Sequence, residues 1–262
     1  MDRVGIVMPA YNAQATLEAT VARIPVTALE ECGVSVTLYL VDDGSTDGTA
    51  RVVRRVAARC PFPVVPLAHP TNRGYGAAQK TGLEASLNHK NGCHVILHAD
   101  GQYAPEELGT LLQPLLVGRA DVVIGSKFLR GKVLRQGMPV SRAVGIRLCD
   151  LVENRILGLR GLEFHSGYMA YTSKALRDIP FHTLTDRFHF DGEMVLSAAH
   201  GGLRIEKVPI STWYGAGTSS LRVLPYLKEL VETARKYRRG EYWFQRGADF
   251  PPASHRPGGA GA

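Results

Sequence analysis

Short apolar runs alternate with helix-like segments along the first half of this chain, and each run closes on a polar cluster. No other feature constrains the fold as much. Val4–Met8 leads into Pro9-Ala10-Tyr11-Asn12, and Val34–Val41 into Asp42-Asp43-Gly44-Ser45-Thr46-Asp47-Gly48-Thr49. Val64–Leu67 is a weaker third run. His94–His98 ends in His98-Ala99-Asp100-Gly101-Gln102, and Val122–Gly125 in Gly125-Ser126-Lys127. Between them, Ala15–Ile24 carries Leu17, Val21 and Ile24 at helical spacing. A further helix, capped by Thr46 or Asp47, reaches Ala58, and Tyr75–Leu87 and Pro105–Leu116 are two more. This rhythm predicts an α/β fold, a mostly parallel sheet with helices on both faces. Such sheets bind ligands beyond the carboxyl ends of their strands, so the polar clusters would share one rim.

The second half is less regular. Ser141–Leu157 reads as a helix with Val144, Leu148, Leu151 and Val152 along one side, and Asp191–His200 as a short helix. Leu203–Val208 reads as a late strand that Pro209 interrupts, and Leu221–Arg238 as a basic helix. With no repeat and no internal linker, residues 1–246 are expected to form one domain. The Pro/Gly/Ala-rich stretch 247–262 has no apolar period and is expected to be a loose terminus.

Charge is unevenly placed. The net charge is +7, but Ser126 to Arg160 holds Lys127, Arg130, Lys132, Arg135, Arg142, Arg147, Arg155 and Arg160 against only Asp150 and Glu153. Arg222 to Arg246 is also rich in basic residues. Such patches attract phosphate, nucleic acid or anionic lipid. Cys32, Cys60, Cys93 and Cys149 are widely spaced, with no CxxC, so a zinc site is not expected and the thiols read as reduced. Without a signal-peptide pattern or a spanning-length apolar run, the chain is expected to be cytoplasmic, either soluble or resting on the inner face of a membrane.

Two strand ends carry the chemistry. Asp42 and Asp43 fit either a turn, since their segment is rich in turn formers, or a carboxylate that receives a base or ribose. Asp47 and Thr46 are better explained as caps. Asp100 directly follows a buried apolar strand, where a carboxylate has little structural use. Hard divalent cations take oxygen ligands, and Mg²⁺ combines one or two carboxylates with substrate phosphates, so Asp100 with the Gln102 side-chain oxygen fits such a site. The 74–82 segment lacks phosphate-loop spacing. Gly74 and Gly76 read as backbone room near a donor, and Lys80 as a solvated helix residue. No G-x-G-x-x-G follows the first strand, and Ser166 is in no G-x-S-x-G elbow, so His165, Ser166 and Asp191 do not make a hydrolase triad.

Taken in order, PAYN, VDDGSTDGT, NRGYGAAQKTGLEAS, HADGQYAPEEL and DVVIGSKF resemble the family 2 inverting glycosyltransferases with the GT-A fold. FHSGYMAYTSKAL and FDGEMVLSAAHGGLRIEKVPISTWYG are similar to the branch that makes dolichyl- and polyprenyl-phosphate sugars. The resemblance spans roughly residues 4 to 220. It implies that Pro9, Ala10, Tyr11, Asn12, Asp42 or Asp43, Gly74, Ala99 and Asp100 surround the nucleotide-sugar donor. Asp100 and Gln102 would take Mg²⁺ or Mn²⁺. Lys127 stands at a phosphate-facing cation position, Arg142 matches a downstream phosphate arginine, and Glu193 an acidic position near the acceptor. A UDP-sugar is favoured, with a GDP-sugar the alternative. Two positions depart from the family. His98 replaces the first carboxylate of the usual D-A-D and is expected to touch the nucleotide or the metal's surroundings rather than the ion. Met169 replaces a frequent arginine.

The resemblance implies inversion by direct displacement, with the metal, Lys127 and Arg142 stabilising the departing diphosphate. A hydroxyl acceptor needs a general base, for which Asp191 and Glu193 are the candidates, whereas a phosphate acceptor is already anionic. Lys228–Arg246 interleaves charge with Tyr237, Tyr242, Trp243 and Phe244, as an anionic membrane interface would require. Three readings follow. The first is a membrane-surface enzyme acting on a polyprenyl-phosphate acceptor, with no nucleic-acid partner. The second is an enzyme that glycosylates a hydroxyl of a soluble metabolite or surface polysaccharide. The third is a degenerate nucleotide-sugar-binding module.

Overall fold

The computed structural model describes residues 2–131, 133–134, 136–214 and 223–245, with backbone alone at 223–227 and 245. Lys132, Arg135, Leu221, Arg222, Arg246 and the expected tail 247–262 lie outside the described residues. The strands are β1 (Asp2–Ala10), β2 (Val34–Asp42), β3 (Val64–Ala68), β4 (Cys93–Ile96), β5 (Val122–Ser126), β6 (Met169–Thr172) and β7 (Ile205–Pro209). The α-helices are α1 (Leu17–Ala22), α2 (Val26–Glu31), α3 (Thr49–Arg59), α4 (Tyr75–Asn88), α5 (Leu108–Leu116), α6 (Val140–Ile156), α7 (Ser173–Asp178), α8 (Phe190–His200) and α9 (Val223–Arg238).

All seven strands join one sheet in the order β3-β2-β1-β4-β6-β5-β7. The β1–β2, β1–β4, β2–β3 and β5–β7 pairs are parallel, and β6 alone runs antiparallel, between β4 and β5. The expected mostly parallel sheet is therefore present, with one strand the sequence reading lacked. The expected first helix, Ala15–Ile24, is present as the shorter α1, and a helix the sequence reading lacked, α2, follows with Pro25 at its N-cap, where the missing N–H costs nothing. Pro209 closes β7, and it is tolerated there because β7 is the sheet's edge.

Side-chain alternation along the strands builds two cores, one on each face. Val4, Ile6, Met8, Leu38, Leu40, Val95 and Leu97 enter one with α1, α2, α3 and α5. Val7, Tyr39, Ile96, Ile124, Met169 and Tyr171 enter the other with α4, α7 and α8. Each fully buried Val, Leu or Ile contributes about 1.5–3 kcal/mol. Helix α4 comes unusually close to the sheet, because a Cβ on Gly82 would lie 2.3 Å from Val7 Cγ1. Apart from β6 all strands point the same way, so the polar clusters do share one rim. The chain order turns back between β1 and β4, which opens a crevice there.

Candidate active site

The crevice is lined by the loop after β1 on one side and the loop after β4 on the other. Tyr11 is 50% exposed on the first loop, Pro9 is half-buried and Ala10 buried. Asn12 adopts a left-handed φ of 50°. Its side-chain carbonyl accepts from Thr46 N at 2.9 Å, and its N–H donates to Ser45 Oγ at 3.0 Å. Asn12 thus joins two loops. Asp47 accepts from Thr49 N at 2.9 Å, but the N-cap of α3 is Gly48, with no side-chain cap, so the helix does not start on the cap expected of Thr46 or Asp47.

The two adjacent aspartates differ. Asp43 is buried, and its carboxylate accepts from His69 Nδ1 (2.6 Å), Arg73 N (2.9 Å) and Gly74 N (2.9 Å). That set makes it the clamp of the 72–74 loop, and the nucleoside contact expected of either aspartate does not fit Asp43. Asp42 accepts from Ser45 N at 3.1 Å through one oxygen. Gly74 has φ 108°, and a Cβ on it would lie 2.4 Å from Asp186 O, while one on Gly76 would lie 2.6 Å from Thr185 O. Their room is for the 185–186 backbone rather than for a donor. Lys80 is not a solvated helix residue either. It is largely buried and reaches Asp186 Oδ1 at 2.7 Å and the carbonyl of Leu184.

Asp100 is half-buried, and one of its oxygens accepts from Gln102 N at 2.9 Å. No described residue donates to the second. Ala99 is buried, and its carbonyl accepts from Thr20 Oγ1 at 3.4 Å. Gln102 is buried too, its backbone carbonyl accepting from Trp213 N at 2.8 Å. His98 Nε2 lies 2.7 Å from the Tyr75 hydroxyl, and its ring meets Tyr103 edge-on at 5.1 Å. Gly167 admits this packing, because a Cβ there would sit 2.5 Å from His98 Cε1. Asp100 thus keeps one carboxylate oxygen without a donor among the described residues, and a site with so few protein oxygens would suit a cation that takes most of its ligands from a diphosphate.

The Tyr75 hydroxyl also donates to Asp191 Oδ2 at 2.6 Å, and Gln79 Nε2 donates to Asp191 Oδ1 at 2.8 Å. Burial raises the Asp191 pKa, against the lowering effect of these two bonds. Tyr75 and Gln79 were not singled out in the sequence; their spacing of four on one helix face was the available signal. Glu193, the other candidate base, is 1% exposed and occupied. It accepts from Thr185 N (2.6 Å), Tyr242 Oη (2.6 Å) and Lys236 Nζ (3.2 Å). It anchors α9 to α8, and the base role expected of it does not fit that environment.

Lys127, just past β5, is buried with Nζ donating to the His165 carbonyl at 2.9 Å. Burial, with the charge of Arg142 second, lowers its pKa to about 8. Arg142 lies over the Tyr214 ring at 5.2 Å. The two expected phosphate-facing cations are therefore neighbours. Met169 is fully buried in β6, with the Tyr171 hydroxyl on its sulfur at 3.4 Å. At this position the side chain is part of the core.

Comparison with known proteins agrees with this geometry. The family model described as glycosyl transferase family 2 matches residues 5–180. The undecaprenyl-phosphate mannosyltransferase of Micrococcus luteus is 33% identical over 80% of this chain and 83% of its own. The polyprenol monophosphomannose synthase of Mycolicibacterium smegmatis is 29% identical over 80% of this chain and 77% of its own. Among solved structures, glucosyl-3-phosphoglycerate synthase from Mycobacterium tuberculosis with Mn²⁺, uridine diphosphate and phosphoglyceric acid superposes with TM-score 0.61 at 20% identity, covering 90% of this chain and 77% of that one. An α/β sheet with this rim and this sequence defines a nucleotide-sugar glycosyltransferase of the GT-A kind. The chain belongs to glycosyltransferase family 2.

Proposed function

We propose that the protein transfers a sugar from a nucleoside-diphosphate donor, UDP-linked by preference, to a polyprenyl phosphate at a membrane surface. The observation that carries the acceptor reading is the outward face of α6. Val140, Val144, Leu148 and Leu151 are 63%, 60%, 57% and 66% exposed along one side of that helix, with Leu129 and Leu134 exposed at 52% each beside them. An apolar strip of this kind, beside Arg130, Arg147 and Arg155, suits an isoprenoid chain and anionic headgroups. It leads toward Lys127 and Arg142, where a phosphate would be received. The acceptors in the names of the bacterial relatives support the same class.

In this reading Asp42 and Tyr11 receive the nucleoside, and Asp100, with Gln102, would hold Mg²⁺ or Mn²⁺. The cation would neutralise charge on the leaving diphosphate. Lys127 and Arg142 orient the acceptor phosphate and offset its charge as it attacks the anomeric carbon. Asp191 already accepts two protein hydrogen bonds in a buried position, a setting that suits positioning of Tyr75 and His98 better than proton abstraction. A phosphate acceptor removes the need for a base.

No described helix is long and apolar enough to cross a membrane. The membrane contact is assigned to α6 rather than to Lys228–Arg246, where aromatics just past α9 turn inward. Tyr242 is 5% exposed, and Phe244 stacks on His200 at 4.6 Å. The location that follows is peripheral, on the cytoplasmic face of a membrane.

The deciding experiment supplies UDP- and GDP-sugars with polyprenyl phosphate or with sugar alcohols, with and without EDTA, and identifies products by mass spectrometry. A metal-dependent lipid-linked product is expected. Transfer to the alcohol alone would favour a hydroxyl acceptor, and donor binding without turnover would favour the degenerate module.

A further inference from the structure

Helix α6 exposes its apolar side and buries a polar one, Asp150, Glu153 and Asn154. We propose that Asp150 is a positioning residue for Lys127: it holds the segment just before β6 and so fixes the carbonyl on which the Lys127 ammonium is set. What that ammonium does in the reaction rests on the phosphate-acceptor reading above. In the sequence Asp150 stood only as a counter-charge among basic residues.

Residues 162–168 form neither helix nor strand, so their buried N–H and C=O groups need partners from elsewhere. Helix α6 supplies several. Asp150 is 6% exposed, and its Oδ1 accepts from Phe164 N at 3.0 Å. The same oxygen lies 2.7 Å from His165 Nδ1. Asn154 stands four residues on, hence on the same face of the helix. Its side-chain amide donates to the Leu162 carbonyl at 2.8 Å, and its Oδ1 accepts from Leu162 N at 3.1 Å. Two side chains of one helix thus hold the segment at Leu162, Phe164 and His165.

The backbone of His165 carries the consequence to Lys127. Its carbonyl accepts from Lys127 Nζ at 2.9 Å. Lys127 is itself 6% exposed, and no other described residue accepts from its ammonium. An ammonium has three N–H donors, so two are left for the oxygens of a ligand. It is also a point charge on a flexible stem and sets no direction of its own. The direction comes from the His165 carbonyl, and Asp150 holds both the N–H before that residue and its ring.

Helix α6 reaches the end of β5 in other ways as well. Arg147 lies over the Phe128 ring at 4.3 Å, next to Lys127 in the chain, and Arg142 belongs to the first turn of the helix. The helix that turns its apolar side outward therefore sets both expected phosphate-facing cations. One comes from its own first turn and the other is held through His165.

Lysine labelling of the full chain with a small acylating reagent, read by mass spectrometry, tests this geometry without any acceptor. In Asp150→Ala, Lys127 is expected to react about tenfold faster than in the wild type, the scale of one lost hydrogen bond to a charged group. Lys80, also largely buried, is expected to keep its rate. Asp150→Asn retains an oxygen for Phe164 N and should stay near the wild type. With polyprenyl phosphate and a UDP-sugar, Asp150→Ala should raise the acceptor KM about tenfold at an unchanged donor KM, and Asp150→Asn should restore it. An unchanged Lys127 rate in folded Asp150→Ala overturns the proposal. Equal acceleration of Lys127 and Lys80, or a rise of both KM values in step with a lower melting temperature, marks a merely structural role and overturns it as well. If Asp150→Ala does not fold, Asn154→Ala, which frees the segment at Leu162, is read in the same way. A wild type that makes no lipid-linked product removes the phosphate-acceptor reading, and the labelling rates still decide whether Asp150 positions Lys127.

Discussion

Asp43 illustrates how one carboxylate decides the shape of the donor crevice. Its three donors come from the end of β3 and from the loop that opens α4. Replacing it with alanine leaves His69 and two backbone N–H groups without an acceptor, at a cost of about 1–3 kcal/mol for each group that stays buried. Asp43→Ala should therefore lower the melting temperature and raise the donor KM, as read by thermal unfolding and initial rates. Asp42→Ala, by contrast, should act mainly on the KM. His94 sets a pH limit. It is buried between Ser86 Oγ and Ser173 Oγ at 2.7 and 2.9 Å, and burial lowers its pKa to about 3. The unfolded chain binds this proton near pH 6.5 and the folded one does not. The stability it contributes is therefore whole above about pH 6.5 and erodes as pH falls toward 3. Melting curves from pH 7 to 4 should show that loss, and His94→Gln should flatten it. The aspartates were legible as a cluster, but their division of labour was not. The partner of Asp43, His69, stands 26 positions away with no motif of its own.

Among the elements, α6 departs most from what periodicity suggests. An apolar stripe at helical spacing is normally the buried side. Here Val144, Leu148, Leu151 and Val152 were correctly read as one face, but the sequence does not say that this face is turned outward. The reason lies elsewhere in the chain, in the polar groups at 163–165 that take the inner face. If the outer face meets lipid, Leu148→Glu with Leu151→Glu should abolish sedimentation with anionic vesicles while leaving the melting temperature within a few degrees. Unchanged vesicle binding would remove the assignment. Strand β6 was missed for another reason. Four residues, Met169–Thr172, give too little alternation to detect, and their strand character comes from two neighbours, β4 and β5, on either side. The longer strands β1 and β2 and the helices α3 and α4 were legible because propensity, caps and apolar period agree along them.

Across the whole molecule, the sheet is built from a parallel block that ends at β4 and a second block of β5 and β7, with reversed β6 joining them. The general rim was readable from the sequence, since parallel connections bring strand ends together wherever the strands fall. The depth and closure of the rim were not, because they depend on contacts between distant loops, such as Tyr75 with Asp191 across 116 positions.

The reversed strand has an evolutionary consequence. The residues proposed to read the donor come before 103, and those proposed to receive the acceptor come after 126, so two heritable halves join in the chain between those positions and meet in the sheet where β6 pairs with β4. Recombination between relatives within 104–121 would exchange acceptor preference while keeping the nucleotide sugar. A chimera joined there should take its product's lipid or alcohol from the second parent and its sugar from the first, provided the partners of Tyr75 and Gly74 travel with it. Products of such a chimera, separated by mass, would show whether the two specificities are inherited apart.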